Sequence, residues 1–458
     1  MVNGGGVGTP ARGERFGHPR GLASLCFAEA CERFSYFGMQ SLLVLYMTHQ
    51  LLLPDHVQNV LGFAALRAAI EHVTGPLSTA AMASQVFGLY AGFVYLTPLL
   101  GGIVADRWLG RTATVTIGAV LMVFGHFLMA FEATFLVAIA LLLIGVGGFK
   151  GNIATQVGEL YERGDLRRAT AFQIFQIFIN ASVIVSALIC GTLGEKAGWH
   201  FGFAAAGVGM MIGLAVYLHG RRWLPQHQVR AALRAGEGEP LTRAERKTVV
   251  LLVALLPVMA AAMLGNQQMY NAFVVWGEAN FDLRFFGFEM PVTWLLSIDA
   301  FVAVLCTLLA IAFWRAWSRK RREPDEIVKV AIGAAVMAIA PLLLALGSMQ
   351  QALTGARISI GWGVAFEVIN EIGFAMLAPV GLALYSRAAP RQIGGLIVGA
   401  FYLIYFLANL SVGRIGGWLE SMSGTSFWLL HAGVIAVAAA VLAIAARTGR
   451  HLLAPTDH

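Results

Sequence analysis

Glu29-Ala30-Cys31-Glu32-Arg33-Phe34-Ser35-Tyr36-Phe37-Gly38 puts three charged side chains inside an apolar stretch, 22–52, that is long enough to cross a bilayer. A charge at bilayer depth costs roughly 2.5–3.5 kcal/mol per residue on insertion scales. Residues kept there face watery space or pair with one another, and they mark a pathway. Glu29 and Arg33 are four apart and Glu29 and Glu32 three apart, so all three share one helical face. An internal salt bridge that merely lets the helix pack is the plain alternative. One arginine does not neutralise two carboxylates, however. A further cation is needed, and Lys150, inside another apolar stretch, is the candidate.

The rest of the chain is of the same kind. Its 458 residues are 58% hydrophobic and 12% charged, where soluble domains carry about 25% charged residues. The composition predicts an all-α polytopic membrane protein. The net charge of +7 resides in short loops between apolar runs, so it is no signal for nucleic acid. Cys26, Cys31, Cys190 and Cys306 all lie in apolar runs without metal-ligand spacing and read as small core residues. The Gly-rich segment 1–21 lacks the regions of a secretory signal and reads as a cytoplasmic tail.

Twelve stretches are long enough to span: 22–52, 80–104, 112–131, 134–158, 168–193, 200–220, 248–280, 292–317, 326–348, 359–385, 393–416 and 427–447. Alternate loops carry the arginines, among them Arg107 and Arg111, Arg167 and Arg168, Arg221 and Arg222, Arg319 to Arg322, and Arg387. The opposite loops are nearly bare. By the positive-inside rule the basic loops and both termini are cytoplasmic, and the expected location is the cell inner (plasma) membrane. The longest basic loop divides the chain. The expected organisation is a tail (1–21), a first six-helix bundle (22–222), an interdomain loop (223–247), a second six-helix bundle (248–447) and a tail (448–458). Two six-span halves around a midplane site are the arrangement of the major facilitator fold; a twelve-span protein of another fold is the alternative that counting leaves open.

Two motifs go further. Gly101-Gly-Ile-Val-Ala-Asp106-Arg107-Trp-Leu-Gly-Arg111 sits between the second and third spans. Its glycines allow close helix approach, and Asp106, Arg107 and Arg111 can form a latch at helix ends. It resembles the signature loop of the major facilitator superfamily. Glu29-x-x-Glu32-Arg33-Phe34-x-Tyr36-x-Gly38 resembles the hallmark of the proton-dependent oligopeptide transporters. Tyr95-Leu-Thr-Pro98, Phe149-Lys150-Gly151-Asn152, Phe178-Ile-Asn180 and Pro379-Val-Gly-Leu382 resemble further segments of that family, in order along the chain.

The resemblance implies a monomeric, proton-coupled symporter that imports di- and tripeptides by alternating access, with protons as coupling ion, no cofactor and no enzymatic reaction. It implies that Glu29, Glu32 and Glu278 handle protons. Arg33 and Lys150 would hold the substrate carboxylate, Arg33 through a bidentate contact. Tyr36, Tyr95 and Asn180 would add hydroxyl and amide contacts, and Phe401 and Tyr402 would wall the pocket. For Tyr95, Phe401 and Tyr402, simple helix packing is an equal reading of the residues.

Departures from the pattern bear on the substrate. Phe374 stands where the family usually has a glutamate; Glu371 lies three residues earlier and Glu367 one turn beyond that. Asn266-Gln267-Gln268 replaces the usual Phe-Glu-Gln of the seventh span, and Asp299 stands at the eighth-span asparagine. The role of receiving a peptide amine then falls to Asp299 or Glu371. A non-peptide substrate, such as an amino-acid conjugate or an anionic metabolite, is the nearest alternative, and a sensor without flux is the more distant one. No His-x-x-x-His spacing supports an intramembrane metal site, and His126 reads as a packed core residue.

Overall fold

The computed structural model describes residues 14–453 apart from 16, 163–164, 166, 226–240 and 286. Most of the expected interdomain loop and the outer parts of both tails lie outside the described residues. Long helices dominate, because a chain in lipid must satisfy every backbone group within its own segment. They are α1 (Arg20–Tyr46), α2 (Thr79–Val104), α3 (Arg111–Leu128), α4 (Phe135–Glu159), α5 (Arg167–Ser186) and α6 (Trp199–Gly220) in the first half. The second half has α7 (Arg243–Ala262), α8 (Trp294–Ser318), α9 (Glu326–Thr354), α10 (Gly361–Ala388), α11 (Gly394–Phe401, continued as Leu403–Gly416) and α12 (Gly424–Thr448).

Among the described residues ten helices are long and apolar enough to cross a membrane, or eleven when the bent α7 segment is counted as one span. Helix α1 stands outside that count although it is 27 residues long; its interior carries Glu29, Glu32 and Arg33.

Helices α1 to α6 pack among themselves, with α1 against α5 and α6, α2 against α4, and α3 against α4 and α6. In the second half α9 packs against α10 and α12, and α8 against α10. The halves meet where α2 lies along α11 and α5 touches α8. Small residues set the closest approaches. A Cβ on Gly38 would lie 2.5 Å from the Cys190 sulfur, so the last glycine of the first-helix motif lets α1 press on the helical turn Ala187–Gly191 that continues α5. A Cβ on Gly101 would collide with the Gly147 backbone, which fixes α2 on α4.

The seventh span is not the continuous helix that its apolar run predicts. It breaks after Ala262 and resumes as Leu264–Gln267, bent by 52°, before a final helix, Ala272–Asn280. The break carries Asn266, Gln267, Gln268 and Asn271. Four amide side chains at this depth need partners, and they find them on four other helices. Asn266 donates to Glu371 on α10 (2.7 Å), Gln267 accepts from Asn409 on α11 (3.0 Å), and Gln268 pairs with His431 on α12 (3.0 Å). Asn271 donates to Ser84 Oγ on α2 (2.6 Å). His431 Nδ1 lies 2.8 Å from the Phe427 carbonyl and donates to it, so Nε2 is the ring's acceptor for Gln268.

Candidate functional site between the bundles

The first-helix cluster forms as its spacing requires. Arg33 Nε lies 3.2 Å from Glu29 Oε1 and also contacts Glu32 Oε2. All three side chains are buried. Among the described residues Arg33 Nη2 has no hydrogen-bond partner, so the enclosed guanidinium fork keeps an unused donor. The guanidinium also stands 5.4 Å from the Tyr36 ring centre.

Lys150, the second cation, is half-buried on α4 and interacts electrostatically with Arg33, Glu32 and Glu29. Its ammonium sits 4.6 Å from the centre of the Tyr95 ring, a cation–π contact between α4 and α2. Four charged groups, two of each sign, thus share one region of the first bundle. The adjacent Asn152 donates to the carbonyls of Gly148 (2.9 Å) and Gly101 (3.3 Å), tying α4 to α2 beside Lys150.

Tyr95 reaches the second bundle. It stacks on Tyr405 of α11 with ring centres 4.7 Å apart and planes 14° apart. Tyr405 is the aromatic partner that sequence reasoning missed. The two residues it favoured lie one turn earlier: Tyr402 is 41% exposed, and Phe401 is fully buried edge-on against Tyr385 at 5.2 Å. The i, i+3 relation of Tyr402 to Tyr405 was the available signal. Tyr270, in the α7 break, was also missed; it meets Phe37 of α1 at 5.9 Å and interacts electrostatically with Asp299, Tyr95 and Glu371. Asn180 accepts from Gln176 of its own helix (3.0 Å).

In the second bundle Asp299 of α8 is buried, with Oδ1 unpartnered. Glu371 is buried and accepts from Asn266 and Asn370 at 2.7 and 3.0 Å. Phe374 is partly buried in the hydrophobic core and offers no polar contact. The first bundle therefore combines the cations Arg33 and Lys150 with two acids, whereas the second presents Asp299 and Glu371 with no lysine or arginine among its described buried residues.

Two sets of contacts lie at opposite helix ends. On the face of the arginine-rich loops, Arg111 donates to Asp106 (3.1 Å) and to Glu159 at the end of α4. Glu159 joins the expected latch unannounced by the sequence motif, while Arg107 is exposed. On the far face, hydrogen bonds join the two bundles. Glu195, just beyond α5, accepts from the backbone N–H groups of Val292 (2.9 Å) and Thr293 (3.0 Å) and from the Thr293 hydroxyl (2.6 Å). This carboxylate from one bundle caps the N-terminus of α8 in the other. Trp294 Nε1 donates to Thr192 (2.8 Å), and His49 pairs with Glu278 at 2.7 Å. Glu278 thus stands at a contact between bundles, opposite a histidine.

A polytopic helical membrane protein of the major facilitator fold is the class that this architecture defines. The profile of the POT family matches residues 112–244 and 239–428, and the chain belongs to that family. The peptide transporter YePEPT of Yersinia enterocolitica is 27% identical to it, over 90% of each chain. A di-/tripeptide transporter of Lactococcus lactis is 28% identical, covering 85% of this chain and 87% of the relative. The crystal structure of a peptide transporter POT in complex with sulfate superposes with a TM-score of 0.84 at 23% identity, over 96% of both chains.

Proposed function

We propose that the protein is a proton-coupled symporter that imports di- and tripeptides by alternating access. The observation that carries this reading is the placement of charge: Arg33 and Lys150 lie in the first bundle, while the second presents the buried acids Asp299 and Glu371, and Tyr270 interacts with both of these acids and with Tyr95, the ring beneath Lys150. A zwitterion with a carboxylate at one end and an ammonium at the other suits that placement. The peptide transporters among the relatives support the same substrate class. Arg33 and Lys150 hold the substrate carboxylate; Tyr36, Tyr95, Tyr405 and Asn180 contact its backbone; Asp299 receives the amine, with Glu371 as second acceptor. Glu29 and Glu32 exchange a proton against the substrate carboxylate at Arg33. Glu278 acts with His49 at the far gate. Asp106 and Arg111 act at the opposite face.

The far-face contacts support a state closed on that side and accessible from the face of the basic loops. With those loops and both termini cytoplasmic, in the inner membrane, this is the inward-facing state of a monomeric importer. The bundles span 22–222 and 248–447, joined by 223–247. No cofactor enters this scheme.

Purified protein in liposomes tests the proposal. A labelled dipeptide should accumulate when the outside is made acid, and unlabelled dipeptides should compete. Flux of a labelled amino-acid conjugate that peptides do not inhibit would favour the non-peptide reading, to which Phe374 lends support. Absence of any flux would leave a sensor.

A further inference from the structure

The carboxylates of the second bundle are not alike. Glu371 accepts two amide hydrogen bonds, from Asn266 and Asn370. Glu367, one turn away on the same helix, accepts none among the described residues: it is fully buried, and neither Oε1 nor Oε2 has a hydrogen-bond partner there. Asp299, from α8, is likewise buried with Oδ1 unpartnered. Glu367 interacts electrostatically with Asp299 and Glu371, both of its own sign. Tyr270 from the α7 break, Cys306 from α8 and Tyr405 from α11 are the further ionisable groups that interact with these acids among the described residues. The lysines and arginines of the second-bundle helices, such as Arg315, Lys329, Arg387 and Arg414, lie within a few residues of helix ends. Among the described residues no three His, Cys, Asp or Glu side chains converge on a metal position.

An ionised carboxylate enclosed beside two others, with neither a cation nor a donor, is unfavourable. A peptide ammonium at Asp299 compensates one charge, but it does not reach a side chain that is wholly enclosed. A proton does: it removes the charge and gives the carboxyl an O–H with which to donate to a neighbouring carboxylate. Position fits this use. Glu367 lies six residues inside α10 from its far-face end, about 9 Å at 1.5 Å per residue. That depth is beneath the far-face contacts made by Glu195 to the start of α8 and by His49 to Glu278. Intramembrane acids in chains of this kind are characteristic of proton relays.

We propose that Glu367 is a proton-binding residue of the transport cycle, distinct from the first-helix pair, and that Asp299 and Glu371 are its relay partners. When the far face is open, the Glu367 carboxylate takes a proton from that side and becomes a neutral acid. The gate closes over it. When the opposite face opens, the proton passes to Asp299 or Glu371 and leaves on the side of the basic loops, which regenerates the carboxylate. The inference rests on the proton-coupled reading above.

The test is the number of protons moved per peptide, obtained from the membrane potential at which net dipeptide flux vanishes in proteoliposomes. It is measured for the wild type, Glu367→Gln and the apolar, similarly long Glu367→Met. Both variants should keep counterflow exchange and lose one proton per peptide relative to the wild type. Glu367→Asp, which restores a carboxyl, should recover the stoichiometry with a displaced pH profile, an outcome that a purely structural role does not produce. An unchanged proton count in Gln and Met variants that exchange substrate normally would overturn the assignment and leave the symporter reading standing. A wild type that moves no protons with peptide would overturn both. If neither Gln nor Met variant folds, Glu367→Asp decides: an unshifted pH profile at wild-type stoichiometry rejects the role.

Discussion

At the scale of single residues, function follows from which charges have partners. Arg33 sits between Glu29 and Glu32 with Nη2 unpartnered among the described residues, so removing one carboxylate should separate coupling from binding. Glu32→Gln is expected to lower the accumulation that a given pH gradient sustains, leaving only the protons carried elsewhere, while counterflow persists, because exchange needs binding and alternation but no proton carrier. Accumulation to the wild-type level by that variant would remove Glu32 from the proton route. Lys150→Ala takes away one of two cations facing two acids. It should lower affinity for peptides with a free C-terminus by about tenfold or more, the size of a lost charge-assisted hydrogen bond. C-terminally amidated peptides should compete poorly with the wild type; equal competition by both forms would remove Arg33 and Lys150 from the carboxylate site. At the other end, Asp299→Asn should weaken free-amine dipeptides by roughly 1.5–3 kcal/mol and leave N-acetylated ones nearly unaffected. Matched competition assays decide that point, and equal loss for both peptides would exclude Asp299 as the amine acceptor.

At the scale of helices, ends and breaks carry the conformational chemistry. The α7 break exists because its four amides are better satisfied by α2, α10, α11 and α12 than by a straight helix surrounded by apolar side chains. One of those amides, Asn266, also orients Glu371, so the break and the acid site are one construction. On the far face, Glu195 holds the start of α8 by three hydrogen bonds across the bundle boundary. Loss of a helix cap costs about 0.5–2 kcal/mol, and under the proposed alternating access that energy would favour the state closed at the far face. Glu195→Ala should therefore open the far face more often. A single cysteine placed at Thr192, in the background of the other four cysteines replaced, should react faster with a membrane-impermeant thiol reagent in the Glu195→Ala protein. An unchanged labelling rate would mean that the cap does not contribute to the gate.

At the scale of the whole molecule, the two bundles meet along α2 with α11 and along α5 with α8, and polar contacts between them gather at one face. Alternating access predicts that this face parts as the other closes. Spin labels on exposed Val73 and Ser421 should report a single short distance under conditions that favour the present state. A second, longer distance should appear when the far-face contacts are weakened by Glu195→Ala. One unaltered distribution under all conditions would argue against rocking of the bundles.

The sequence alone determined the membrane class, the order of the apolar spans, the first-helix charge cluster and the family. Each depends on composition or on side chains three and four residues apart, which a helix brings together wherever it packs. It also pointed to Lys150, because two acids and one arginine call for a second cation. Only the tertiary structure decided the rest. That Tyr405 stacks on Tyr95 while Phe401 is buried against Tyr385 depends on how α11 is rotated against α2 and α10. That Glu371 has donors and Glu367 has none among the described residues depends on where the α7 break places Asn266, 105 residues away in the chain. Glu195 and Thr293 are 98 residues apart and no motif links them. Hydrogen bonds between distant helices are set by packing, and packing is encoded in no local spacing.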